Sequence, residues 1–227
     1  MKRSLLIPLF VAILVGGFAG PMYAESIFLR TTGVDPGSNG TFVFPVLGEI
    51  GARYGEYDLE IDWDMGAENY VAHRGFCVEN AWASSEKGLE YELLDPSDTG
   101  MNYLYAAYIL DQYLAGAFST AQAAQIAVWE AVFDPGDFDV WDGTFRAVSV
   151  ADAAHASDAQ SFLNSMDVTG FDDSAYRIAR NPPQSPPGTA SQDYIIRVPD
   201  ASTLLLLGSA FLLGFGVLGR RKRLEME

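Results

Sequence analysis

Between Tyr57 and Met65 the chain alternates strictly, with Leu59, Ile61, Trp63 and Met65 separated by Asp58, Glu60, Asp62 and Asp64. Successive side chains of a strand point to opposite faces, so this pattern predicts a strand with one apolar face and one face of carboxylates. Like charges at every second position repel unless water or a cation screens them. A solvated outer face accounts for them better than a calcium site, which needs a turn that wraps its oxygens around the ion. Residues 27–29 and 41–44 read as short strands on either side of a loop at 34–40, where Asp35, Pro36, Gly37, Ser38, Asn39 and Gly40 follow one another. Residues 71–78 predict a further strand that places His73 and Cys77 on one face with Gly75 between them, and residues 194–198 a last one.

Helical spacing takes over in the middle of the chain. Residues 102–115 carry Leu104, Tyr108, Asp111 and Gln112 on mixed faces, a moderate amphipathic pattern. Ser119-Thr120-Ala121-Gln122 has the form of a capping box, with Ser119 as N-cap and Gln122 three residues later, and opens a helix over 120–133 that Pro135-Gly136 ends. Residues 152–166 predict a further helix buried through Ala153, Ala156, Phe162 and Leu163. Pro182, Pro183, Pro186 and Pro187 make 181–191 an extended loop. The fold class is therefore α+β, a β-sandwich or barrel with two to three helices inserted after the cysteine strand.

Both ends of the chain depart from this globular pattern. Met1-Lys2-Arg3 followed by an apolar run over 5–20 reads as a signal peptide at 1–24, cleaved after Ala24. At the other end, 204–219 is almost wholly Leu, Gly, Ala, Phe and Val, and Arg220, Arg221, Lys222 and Arg223 follow it directly. Sixteen residues rise about 24 Å as a helix, short of the ~30 Å hydrocarbon core, so the span is placed at 201–219. The basic end orients the C-terminus to the cytoplasm and residues 25–197 outside it.

Charge and cysteine usage narrow the function of that domain. Residues 25–197 hold 8 basic and 27 acidic residues, a net charge of −19 against −16 for the whole chain. Such a field disfavours nucleic acid and anionic membranes and favours solubility, cations and amine-bearing partners. Cys77 is the only cysteine, so an exported chain carries one thiol with no intramolecular disulfide partner. Burial as a small hydrophobe is one account of it, and retained chemistry the other. Cys77 with His73 or His155 has the composition of a cysteine hydrolase, without the local sequence of a protease family. Asp137, Asp139 and Asp142 have the composition of a calcium loop. The third falls one residue late and no glutamate closes it, so they read as an acidic surface turn. No phosphate loop, dinucleotide fingerprint or zinc spacing occurs, which leaves no expected cofactor and no expected metal.

Two resemblances follow from these residues. Val198-Pro199-Asp200-Ala201, the short Leu- and Gly-rich run and the Arg220–Arg223 cluster resemble the PEP-CTERM sorting tail of Gram-negative exopolysaccharide producers, over residues 198–227. That family typically begins Val-Pro-Glu-Pro, where this chain has Asp200 and Ala201. The resemblance implies an exosortase-type processing protease as partner, a transient inner-membrane anchor, and delivery to the cell surface or extracellular matrix. Separately, Phe76-Cys77 on a strand and Gln125-Ile126-Ala127-Val128-Trp129 on a helix resemble the bacterial surface thioester domains. There an aromatic or Leu precedes the Cys, and the Gln opens a Gln-x-Ala-Ile-Trp-like helix. Val128 stands here for Ile, and Ala124 for the Thr that often precedes the Gln.

The second resemblance implies a bond between Cys77 and Gln125, with Phe76, Ala127 and Trp129 supporting the site and His73 a candidate proton shuttle. A thiolate is a strong nucleophile, and a thioester survives only where water is excluded. The implied function is covalent attachment to an amine or hydroxyl of a surface or matrix molecule in a single acyl transfer, not turnover catalysis. The alternative is a non-catalytic acidic structural or polysaccharide-associated matrix protein.

Overall fold

The computed structural model describes residues 26–66, 68–79, 85–182 and 191–199, all but the last of which belong to one compact unit, Ala24–Val198. The signal peptide, the 201–219 span and most of the proline-rich loop lie outside the described residues. Among those described, no helix is long and apolar enough to cross a membrane. The architecture is α+β, a mostly antiparallel sheet with a few helices.

The described residues form seven strands: β1 Ser26–Phe44, β2 Gly48–Asp62, β3 Val71–Cys77, β4 Leu89–Leu94, β5 Arg146–Val150, β6 Tyr176–Arg180 and β7 Tyr194–Arg197. The pairings run β1–β2–β3–β7–β6–β4 and return to β1, so they make a closed circuit, with β5 added along the far half of β1. Closure leaves few unpaired strand edges. Inside the circuit the partnered positions share a face: Ile27 with Tyr91, Leu29 with Ile61, Thr31 with Leu59, and Tyr194 with Cys77. The Thr31 and Tyr194 hydroxyls are bonded at 2.8 Å and tie β1 to β7.

Two expectations about these strands are corrected. Residues 34–40 are not a loop but part of β1, which pairs with β2 along its length and absorbs the extra residues as irregularities at Thr31/Gly33 and Val34/Gly37. Gly37 faces Gly55, and a Cβ on Gly37 would stand 2.7 Å from the Val34 carbonyl oxygen, so the turn-forming residues serve close backbone approach here. The alternating strand also ends at Asp62 rather than Met65. The Asp62 carboxylate accepts from the backbone N–H groups of Asp64 and Gly66 at 3.1 and 3.3 Å and turns the chain. Its acidic face is partly paired: Glu60 with Arg30 at 2.5 Å and Asp58 with Arg74 at 3.8 Å.

Four helices lie between β4 and β6 in sequence: α1 Pro96–Thr99, α2 Met101–Leu114, α3 Ala121–Phe133 and α4 Ala153–Leu163. α3 is buried from Ala121 to Val132 on every face, as a helix must be when it is apolar all round. Five alanines let α2, α4 and strands β1, β2 and β3 pack against it. Its N-cap is Thr120, not Ser119: the Thr120 hydroxyl accepts from the Ala123 N–H at 3.2 Å. Ser119 instead donates from its N–H and hydroxyl to Asp158 on α4, at 2.9 and 2.6 Å. α4 buries Ala156, Ala159 and Leu163, while Ala153 faces solvent and Phe162 is half-buried.

Candidate functional site

Cys77 is the last residue of β3, at the point where the sheet on one side of that strand gives out. The β2–β3 ladder ends at Tyr57 and Gly75, whereas on the other side the Val78 N–H still reaches the Asp193 carbonyl at 3.0 Å. Backbone groups alternate sides along a strand, so the N–H and C=O of Cys77 face the gap left by β2. Gln125, in the middle of α3, fills it. The Cys77 N–H donates to Gln125 Oε1 at 3.0 Å, and Gln125 Nε2 donates to the Cys77 carbonyl at 2.9 Å. A buried peptide unit left bare would cost about 1–3 kcal/mol for each group.

The surroundings are dry. Cys77, Phe76, Gln125 and Ala127 have no exposed surface, and Trp129 is buried. Phe76, on the opposite face of β3, packs edge-on against Tyr113 of α2 at 5.1 Å. Trp129 lies one helical turn beyond Gln125, with its ring set edge-on to Phe42 and Phe44 at 5.1 and 5.2 Å. Its indole N–H has no nitrogen or oxygen partner and acts on the thiol in favour of the thiolate. Burial outweighs that effect and pushes the Cys77 thiol up to about 12. The thiol is therefore protonated at neutral pH, and it donates to the Glu79 carbonyl at 2.8 Å.

The structure brings Cys77, Gln125 and Trp129 together but not His73; Phe76 lies on the other face of β3, and Ala127, two residues along α3 from Gln125, is buried on another side of that helix. Four residues of strand separate His73 from Cys77, about 13 Å at the rise of a β-strand. Its Nε2 is bonded to the Arg197 carbonyl, its ring lies edge-on to Trp63, and burial lowers its pKa. His155 is equally committed elsewhere, with Nδ1 at 3.0 Å from the Tyr54 hydroxyl. Of the residues expected to form a sorting signal, Val198 and Pro199 are described, whereas Asp200, Arg220, Arg221, Lys222 and Arg223 lie outside the described residues.

Charged groups near the thiol complete the picture. Glu79, two residues beyond Cys77, is half-buried. Asp193 is buried; its Oδ1 accepts from the Asn181 N–H at 2.7 Å and its Oδ2 lies 3.7 Å from Arg180 Nε. Burial, then Glu79, raises Asp193 to about 7, and burial raises Glu79. Glu79 was within reach of sequence reasoning, two residues from Cys77; Asp193 carried no such signal, being joined to this region only by the β3–β7 pairing. Asn181 Oδ1 also accepts from the Ser191 N–H at 3.1 Å.

A second buried carboxylate lies on α3 itself. Glu130 has no exposed surface, and among the described residues neither oxygen has a partner at full hydrogen-bond geometry. Burial, with Asp134, Asp137 and Asp139 nearby, raises it to about 8. In the following turn the carboxylates of Asp134, Asp139 and Asp142 accept from the N–H groups of Thr144, Trp141 and Gly143. Among the described residues no group of three or more His, Cys, Asp or Glu is placed to hold a metal ion. No protein-family model, curated protein or solved structure matches the chain.

Proposed function

We propose that Cys77 and Gln125 form an internal thioester through which this protein attaches covalently, once, to an amine- or hydroxyl-bearing molecule of a cell surface or matrix. The observation that supports it best is the double hydrogen bond between the Gln125 carboxamide and the Cys77 peptide unit, both fully buried. Thiol attack on the Gln125 carbonyl carbon forms the C–S bond, breaks the C–N bond and releases ammonia. The negative charge that develops on Oε1 falls on the N–H of Cys77, already 3.0 Å away, as an oxyanion donor should be placed. A partner amine later displaces the thiol and leaves Gln125 joined to the partner. On this reading the protein is a self-reactive acyl donor rather than a turnover enzyme and uses no cofactor. The tail at 198–227 holds the precursor in the inner membrane until an exosortase-type protease releases it.

A second reading rests on the same two hydrogen bonds. They also complete the ladder where β2 leaves β3, which Gln125 can do without reacting, in an acidic structural or polysaccharide-associated matrix protein. Intact mass separates the two: a thioester removes about 17 Da, as loss of ammonia requires, and Cys77→Ala and Gln125→Ala each abolish that loss. Methylamine then opens the bond, adds to the peptide carrying Gln125 and exposes Cys77 to alkylation while the protein stays folded. Equal alkylation with and without methylamine, and no adduct, leaves the structural reading standing.

A further inference from the structure

A cleft of about 510 Å³ is lined by the start of α3, the start of α4, and residues of β1 and α2. Its volume falls within the roughly 300–1,000 Å³ of small-molecule sites. We propose that this cleft binds one neutral hexose unit of a polysaccharide. Such binding is independent of whether Cys77 and Gln125 react.

The polar groups of the cleft are of both kinds, as a ring of hydroxyls requires. Gln122 is only 8% exposed, and among the described residues its one side-chain hydrogen bond runs from Nε2 to Ser38 Oγ at 3.4 Å. Its Oε1 is left to accept from a ligand. The Thr120 hydroxyl accepts from the Ala123 N–H and keeps its own hydrogen to donate. The N–H groups of Ala121 and Gln122 open α3 and have no intrahelical acceptor. Asp152 uses Oδ1 to accept from the Ala154 N–H at 2.9 Å, which leaves Oδ2 as a second acceptor. The His155 ring is fixed at Nδ1 by the Tyr54 hydroxyl at 3.0 Å, which itself accepts from the Ala151 N–H at 3.3 Å. Pro36, Ala151 and the Tyr113 ring add apolar surface for the C–H face of a pyranose. Tyr113 is held at both ends, by its hydroxyl bond to Glu56 Oε2 at 3.2 Å and by Phe76 against its ring.

Charge selects among polar ligands. A helix N-terminus attracts phosphate and carboxylate, but among the described residues no Lys or Arg lines the cleft, whereas Asp152 does. Residues 25–197, with 8 basic and 27 acidic residues, add a field that repels a uronate or a phosphate. An ammonium group only donates and would leave the Thr120 and α3 donors unmatched. A neutral sugar hydroxyl both donates and accepts and meets neither penalty.

The test is saturation-transfer NMR on the full chain, held in a zwitterionic detergent that carries no sugar, with detergent alone as the blank. The probes are glucose, galactose and mannose, set against glucuronate and glucosamine at neutral pH. Transfer is expected to at least one of the three neutral sugars and to be weaker for both charged ones. Gln122→Leu, which keeps the volume and removes the acceptor, should weaken binding about tenfold, as loss of one buried hydrogen bond does. Ala151→Trp keeps the N–H that the Tyr54 hydroxyl accepts, fills the cleft and should abolish binding. It carries the comparison should Gln122→Leu fail to fold, as judged by circular dichroism. Folded variants that bind as wild type does, a preference for glucuronate or glucosamine, or a wild-type chain that binds none of the three neutral sugars overturns the assignment.

Discussion

Gln125 meets Cys77 as one strand meets another: its carboxamide gives and takes one hydrogen bond each with the Cys77 peptide unit, at 2.9 and 3.0 Å. A side chain thus stands where β2 would have continued. Gln125→Ala is expected to lower stability by about 2–4 kcal/mol, since it leaves two buried backbone groups bare and opens a cavity. Gln125→Glu keeps the shape but turns the donor facing the Cys77 carbonyl into an acceptor, and should cost a similar amount, increasing with pH. Chemical denaturation of the two variants at pH 5 and pH 8 checks both statements.

Glu130 sets a pH dependence with a definite sign. Its pKa in the folded protein, about 8, is raised above the ordinary 4.5 by burial and the acidic turn after α3. Such a group favours the folded state fully below about pH 4.5, and that contribution is lost as pH rises through about 8. Asp193, raised from 3.8 to about 7, acts in the same direction at somewhat lower pH. Glu130→Gln removes the first contribution. The stability of Glu130→Gln relative to wild type should rise between pH 5 and 9 by on the order of a few kcal/mol, read from denaturant midpoints. A difference that stays constant across this range would show that Glu130 does not ionise there.

Gly75 precedes the Cys77 strand end and leaves no room for a side chain. A Cβ there would lie 2.5 Å from the Ile195 carbonyl oxygen and 3.0 Å from Ile196 Cγ2. Gly75→Ala should therefore push β3 away from β7, cost about 1–3 kcal/mol as overpacking does, and loosen the alignment of Cys77 on Gln125. The thermal midpoint together with alkylation of Cys77 in the native protein measures the two effects. An unchanged midpoint and an unchanged alkylation rate would contradict the prediction.

The proposed sorting role of residues 198–227 can be tested independently of the site. With the basic residues Arg220, Arg221, Lys222 and Arg223 at its end, the apolar run is expected to hold the precursor in the inner membrane with the domain on the periplasmic side. Replacing all four by Asn should lower the fraction of chains in that orientation. A periplasm-dependent reporter fused after Thr189 reads it; an inactive reporter in a chain with its signal peptide intact would refute the topology.

The sequence by itself determined the local order and the chemistry available. The alternation at Leu59 and Ile61 specifies a strand face because side chains on a strand repeat every two residues. Ala121–Phe133 specifies a helix because its residues favour one and Pro135 cannot extend it. Lone Cys77 and buried-helix Gln125 were legible as a pair through their motifs. What the tertiary structure decided is everything that depends on which strands become neighbours. Residues 34–40 look like a loop until β2 supplies partners for their backbone. Thr120 rather than Ser119 caps α3 because Asp158, on another helix, takes the Ser119 hydrogen bonds. Asp193 meets Val78, next to Cys77, while His73 is held by Arg197, because the closed strand circuit sets β7 beside β3 and fixes where along it each residue falls. Local propensity acts over a few residues, whereas these outcomes depend on pairings as far apart in the chain as the 124 residues between His73 and Arg197, and only burial of one shared core selects among such pairings.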